Sequence, residues 1–297
     1  MSDAARRPSR PVPRERAPDT PWSLFVRRFR RHRLAVIGLV VLIVLGMLAL
    51  LAPIIAPYGF DTQDLNIIGT PQPPSAEHLM GTDQLGRDAL TRVLYGARVS
   101  LAVGLTSALL ASLLGTLVGA LAGYYRGWLD TFLMRLTDVV LCIPLLPLVI
   151  LLSGMLRPTV PLLVGIIGVL GWMGTARLVR GQFLSLRERE FVEASRALGG
   201  SNNRIMFRHI LPNAIGPIIV ATTLAVGSGI MLESALSFLG LGVQPPTPTW
   251  GNLLNYASQW LQVAPWLALF PGLFILVTVL AVNFLGDGLR DALDPRS

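Results

Sequence analysis

Few residues in this chain could make or break a covalent bond. All 25 basic residues are Arg, with no Lys at any position. That removes the Lys of a phosphate-binding loop and any Schiff-base amine. A nucleophile–base pair would need Ser100 or Ser112 beside an imidazole, but His32, His78 and His209 lie outside the apolar runs. The three His are far apart and suggest no metal cluster, and no His-Glu-x-x-His pattern occurs. Cys142 is the single Cys, so no intrachain disulfide forms. What remains is binding and docking chemistry, in two places: the polar stretch 190–213 and Glu233, an acid within an apolar run.

The stretch 190–213 reads as a helix, a turn and a second helix. Residues 187–198 favour helix, and Gly199-Gly200 supplies a left-handed end. Ser201 is placed to cap the second helix, which Pro212 should limit. Ile205, Met206 and His209 give that helix a narrow apolar face. Such a helix held off a membrane is either a rigid knob for a groove on a soluble partner or a solvated connector. Glu233 faces a path and meets a cationic solute, pairs with an Arg of an outer loop, or sits in headgroup water. Asp138 pairs with Arg135 or sits in interfacial water, while Asp83, Arg87 and Asp88 form a charged turn.

The elements that must position these residues are apolar helices. Hydrophobic residues make up 52% of the chain and charged ones 14%, where a soluble domain carries about 25%. The uncharged gaps from Arg33 to Asp61 and from Arg98 to Arg126 are each 27 residues long. Those from Asp138 to Arg157, Arg157 to Arg177 and Arg208 to Glu233 are 18, 19 and 24. A spanning helix needs roughly 20 residues. The reading is an all-α integral membrane protein with six spans, at 34–56, 99–122, 139–156, 160–179, 214–238 and 266–286. Alternating ten-residue strands are absent, which disfavours a β-barrel.

Charge sets the orientation. Residues 1–33 carry +7, residues 177–213 carry +4 and residues 57–98 carry −2. Arg-rich segments stay inside, so both termini and the 180–213 loop are cytoplasmic and the 57–98 loop is outside. The same distribution argues against nucleic acid as the partner of this +8 chain. Residues 1–20 read as a disordered Arg/Pro-rich tail. Residues 21–33 read as an interfacial helix, with Trp22, Phe25, Val26 and Phe29 toward lipid and Arg27, Arg28, Arg30 and Arg31 opposite. The first span is a retained anchor rather than a signal peptide, because its apolar run is long and no A-x-A site follows. Residues 287–297 read as a cytoplasmic tail.

Gly115, Gly119 and Gly123 fall four apart on one face of the second span, a spacing for close helix packing or a subunit interface. Gly165, Gly168, Gly171 and Gly174 fall three apart in the fourth. Pro144 and Pro147 should kink the third span.

Glu193-Ala194-Ser195, three residues, Gly199 and then Leu211-Pro212 resemble the loop that marks membrane subunits of ATP-binding-cassette (ABC) importers. Ser195 stands where that pattern usually has Ala, and His209 where it has Ile; the His variant with Pro212-Asn213 resembles the peptide and nickel branch. Gly81-Thr82-Asp83-Gln84-Leu85-Gly86-Arg87-Asp88, Tyr95-Gly96-Ala97-Arg98-Val99-Ser100-Leu101 and Leu236-Ser237-Phe238-Leu239-Gly240-Leu241-Gly242 resemble that branch too. So do Pro248-Thr249-Trp250-Gly251, Gly286-Asp287-Gly288-Leu289-Arg290-Asp291 and Asp294-Pro295. The likeness runs from about Trp22 to Pro295 and is strongest to C-type second permease subunits of dipeptide or oligopeptide importers.

The resemblance implies a type I importer fold and a non-enzymatic chain in the cell membrane. It implies a related B-type permease as heterodimer partner, two ATPase subunits that hold ATP and Mg, an extracytoplasmic solute-binding protein, a peptide substrate and surrounding lipid. It makes Glu193, Ala194, Ser195, Leu198, Gly199, Arg204, Met206, His209 and Pro212 the docking and coupling residues. Under it, the Asp83–Asp88 turn caps a helix or touches the binding protein. A nickel or other small-solute importer, or a channel or receptor without an ATPase, stands as the alternative.

Overall fold

The computed structural model describes residues 21–156 and 159–293, with the side chains of Pro21 and Trp22 left aside. The expected tail 1–20, the side chain of Trp22 and the last four residues lie outside the described part.

The described residues are helical almost throughout. Helix α1 (Pro21–Arg31) has Pro21 at its first position, where a missing N–H costs nothing. Phe25 and Phe29 stack at 6.0 Å on its half-buried side, while Arg27, Arg30 and Arg31 are exposed. His32 ends α1 and starts α2 (Arg33–Ile55): its Nδ1 accepts the Ala35 N–H at 3.1 Å. Helix α2 is apolar all round. It packs Ala35, Gly38, Leu45, Ala49 and Ala52 inward and leaves Ile37, Val40, Met47, Leu50 and Ile54 exposed, as a lipid-facing helix does.

Residues 57–88 form an irregular lobe that ends in the charged turn. Asp83 accepts from the backbone N–H groups of Leu85 and Arg87 and from Arg87 Nε at 2.8 Å. Asp88 caps α3 (Ala89–Tyr125) by accepting the Thr91 N–H at 2.7 Å, and its other oxygen meets His78 Nδ1 at 2.9 Å. Asp83, Arg87 and Asp88 are buried and engaged within the chain. Helix α3 therefore starts ten residues before the expected span, because the cap lies in the lobe.

Helix α4 (Gly127–Cys142) and α5 (Leu145–Leu156) meet at 79°. The chain bends within the expected stretch 139–156, at the kink that Pro144 was expected to impose. Pro144 disfavours helix at the residue before it, and Ile143 is extended at φ −84°, ψ 123°. Pro147 lies in the first turn of α5, where no donor is required of it. The stretch 160–179 is bent as well, without a proline to mark the place: α6 (Val160–Val169) and α7 (Met173–Leu186) meet at 44° across Leu170, Gly171 and Trp172. Gly115, Gly119 and Gly123 line the contact of α3 with α7. A Cβ on Gly115 would lie 2.6 Å from the Trp172 carbonyl oxygen, and one on Gly123 2.7 Å from Phe183 Cβ. Gly119 faces the Ala176 carbonyl oxygen still more closely. The two backbones approach to a distance only Gly allows.

Helix α8 (Glu190–Ala197) is followed by α9, continuous from Asn202 to Phe238. The expected stop at Pro212 is corrected. Ile205–Ile210 is wound as a π-helix, in which the Leu211 N–H reaches back to the Met206 carbonyl. The wider turn carries the helix through the missing donor of Pro212. Asn213 Nδ2 donates to the His209 carbonyl at 2.7 Å. Helix α10 (Trp250–Ser258) is short and capped by Thr249 and Asn252 in a reciprocal box. Helix α11 (Trp266–Leu293) closes the bundle against α2 and α9. Among the described residues four helices are long and apolar enough to cross a membrane alone, and six crossings result if each bent pair counts as one.

Candidate functional site

The helix–turn–helix stands on an apolar pedestal. Val192 of α8 and Ile205, Met206 and Ile210 of α9 are fully buried among Ala120, Tyr124, Val179 and Phe183. Each such side chain contributes roughly 1.5–3 kcal/mol, so the turn is held by a core and not by solvent-exposed contacts. Gly199 ends α8 at φ +78°, and the Gly200 N–H returns to the Ser195 carbonyl at 3.0 Å. Tyr124 donates to Asn202 Oδ1 at 2.8 Å, and Arg187 donates to the Tyr124 carbonyl. Burial, and then the nearby Arg126 guanidinium, push Arg187 below its ordinary value, opposed by Glu188 at 3.5 Å. These bonds tie the start of α9 and the end of α7 to the end of α3.

The sequence-derived residues divide sharply. Glu193, Ala194, Leu198, Gly199, Arg204 and Pro212 are exposed, and Ser195 and His209 are half-buried. Met206, at 1% exposure, belongs to the pedestal and is corrected as a docking contact. The face expected of Ile205, Met206 and His209 turns inward because the core formed by α3, α7 and α8 takes it. Ser201 sits at the N-cap without a side-chain bond to the helix, correcting its expected role. The helix–turn–helix leaves Leu198 89% exposed, and Phe191 of α8 and Phe207 of α9 are exposed too. Sequence reading passed over both Phe residues; two large apolar groups amid Arg and Glu were the available signal.

Glu233 lies far along α9 and is fully buried. Ser237 Oγ donates to its Oε1 at 2.7 Å and Ser100 Oγ to its Oε2 at 2.9 Å; Ser234 Oγ stands 3.4 Å from Oε2. The expected Arg partner and headgroup exposure are both corrected: the hydrogen-bond partners are hydroxyl groups from α3, from its own helix and from Thr249. Asp138 is also corrected, pairing with Arg177 at 2.5 Å rather than with Arg135. A cleft of roughly 560 Å³ opens between α3, α5, α6, α9 and α11, with Ser107, Ala111, Gly171, Ser228 and Asn283 on its walls.

Residues 115–297 match the family model described as binding-protein-dependent transport system inner membrane component. Residues 20–74 match the N-terminal TM domain of oligopeptide transport permease C. The chain is 41% identical over 278 residues to the dipeptide transport system permease protein DppC of Alkalihalophilus pseudofirmus, covering 93% of this chain and 90% of that one. It is 45% identical over 275 residues to the oligopeptide transport system permease protein OppC of Escherichia coli K12, covering 93% and 91%. It is 44% identical over 281 residues to a glutathione transport system permease protein, GsiD, of Escherichia coli O6:K15:H31, with coverage of 93% and 91%. The inward-facing MetNI methionine ABC transporter shares the fold, with a TM-score of 0.52 at 19% identity over 68% of this chain and 96% of that one. With family models matched at both ends and full-length relatives of this identity, the chain belongs to the inner-membrane permease components of binding-protein-dependent ABC transport systems.

Proposed function

We propose that this permease moves dipeptides or oligopeptides, together with a related B-type permease, two ATPase subunits and an extracytoplasmic binding protein. ATP and Mg belong to the ATPase subunits, in keeping with a chain that has no Lys. The chain crosses the membrane six times, with both termini and the 180–213 region cytoplasmic and the 57–98 region outside. The cleft beside Ser107, Ser228 and Asn283 forms this subunit's half of the path. The names of its dipeptide, oligopeptide and glutathione relatives support a peptide substrate.

One observation carries the docking assignment: an exposed turn at 193–199, bearing Leu198 and a Gly at φ +78°, stands on a fully buried pedestal. A rigid exposed knob of this kind fits a groove on a soluble subunit. Purification through a tag on this chain tests it. ATPase chains should accompany the permease, and vesicles holding the full assembly should take up labelled peptide with ATP. A permease that conducts with no ATPase bound would instead be a channel.

A further inference from the structure

Helix α4 is attached to the bundle in an unusual way. Thr137 is its one fully buried residue, and that hydroxyl bonds back to the Leu133 carbonyl of the same helix. Trp128, Phe132, Leu136 and Val139 are exposed. Apolar packing thus gives α4 little grip on its neighbours. Three ion pairs take its place. Arg126, at the α3–α4 junction, meets Glu188 at 2.6 Å. Asp130 receives both Arg180 Nε and Nη2, the second at 2.7 Å. Asp138 meets Arg177 at 2.5 Å.

The order of these pairs is informative. Glu188 lies two residues before α8, on the short link from α7. Arg180 and Arg177 follow backwards along α7 as Asp130 and Asp138 follow forwards along α4. The last pair stands five residues before Ile143, where the chain turns through 79° into α5. The Arg126–Glu188 and Arg177–Asp138 pairs are exposed and add little to stability, so the ladder is poorly explained as a stabilising device. It does fix register: a planar guanidinium held by two oxygens resists both sliding and rotation. Arg180 and Asp130, at 34% and 15% side-chain exposure, are also partly shielded from screening. Helix α7 is itself seated on α3 by the Gly115, Gly119 and Gly123 contacts.

We infer that the Arg126–Glu188, Arg180–Asp130 and Arg177–Asp138 pairs are a strap that makes α4 move as one body with α3 and α7. Displacement of the docking turn is thereby delivered to the Ile143–Pro144 break and swings α5 there. The inference rests on the docking reading above and names Asp130 and Arg180 as positioning residues, remote from substrate and nucleotide.

The test uses the complete importer in vesicles with its binding protein, at matched membrane abundance. Asp130→Arg, Arg180→Asp and the exchanged double variant are compared, with Arg180→Gln as a neutral version less disruptive to insertion. ATPase retention reads docking; peptide taken up per ATP hydrolysed reads the strap. The single variants should retain the ATPases and still hydrolyse ATP, while uptake per ATP falls by at least about fivefold, the lower end of ordinary site-to-site coupling. The double exchange should restore it to within about twofold. Single variants, Arg180→Gln included, with parental uptake per ATP would overturn the strap, as would an exchange that restores nothing. Loss of ATPase retention in the single variants would also count against it, placing Asp130 and Arg180 in docking. Failure of the docking reading itself would show differently, as unchanged retention and uptake when Gly199 is replaced.

Discussion

Ser100 on α3 and Glu233 on α9, 133 residues apart, share a buried hydrogen bond of 2.9 Å, and the same serine oxygen accepts the Trp250 N–H at 3.2 Å. One hydroxyl therefore links the Glu233 carboxyl group to the first turn of α10. Trp250 is fully buried, and its indole donates to the Val93 carbonyl at 3.2 Å. Three elements close on this one acid without a guanidinium among its hydrogen-bond partners.

Ser100→Ala should remove a donor from Glu233 and an acceptor from Trp250 in one step. Unsatisfied buried groups of this kind cost about 1–3 kcal/mol each. The thermal midpoint of the assembled permease should fall, and proteolytic cleavage within 239–265 should accelerate. A variant that melts with the parent and resists protease equally would mean that the serine relay does not hold α10.

Gly119→Val should separate α3 from α7, since its Cβ would press on the Ala176 carbonyl and Val179 Cβ. Overpacking of this sort costs typically 1–3 kcal/mol, and here part of the neighbour is backbone. Reduced membrane abundance with a lower melting temperature is the expected result. Gly174→Val serves as the control, because nothing lies within 4 Å of the position its Cβ would take.

Gly199→Val should uncouple the ATPases while leaving the spans inserted. The site is spacious, with nothing within 4 Å, so the penalty comes from φ +78° alone, about 1–2 kcal/mol for a β-carbon in this region. Glu193→Ala should act in the same direction more weakly. Peptide uptake and ATPase retention at matched abundance read both. Unchanged values for Gly199→Val would remove the docking role from this turn.

Topology is open to direct labelling. In a Cys142→Ser background, single Cys residues at positions 9, 70 and 297 should divide cleanly. Only the one replacing Thr70 should react with an impermeant thiol reagent in intact cells, once any outer membrane has been made permeable. Reaction at 9 or 297 would reverse the orientation.

How much could be read in advance depended on the range of the interaction involved. Apolar runs and Gly199 were legible because their signals are local: composition, period and a residue able to take positive φ. The break at Ile143 was legible through Pro144, whereas the one at Leu170–Trp172 was not, since no proline marks it. Pro212 misled because a π-helical turn six residues long absorbs the missing donor, a choice made by the core around Met206. Arg177 as the partner of Asp138, and Ser100 as that of Glu233, lie 39 and 133 residues away. No pattern on one helix could have chosen them over nearer candidates. Glu193 and Leu198, expected as docking residues, are both exposed, and the contacts proposed for them lie on another chain.

The continuity of α9 has a mechanical consequence. Its 37 residues run about 55 Å without a joint, from Asn202 beside the docking turn to Phe238 just beyond Glu233. A beam of that length is a lever. Pivoted near one end, a tilt of only about 5° carries the other roughly 5 Å, the rise of a single helical turn. A shift at the proposed docking surface that is too small to disturb the pedestal's packing would therefore arrive at the Ser100–Glu233–Trp250 junction at the scale of a side chain.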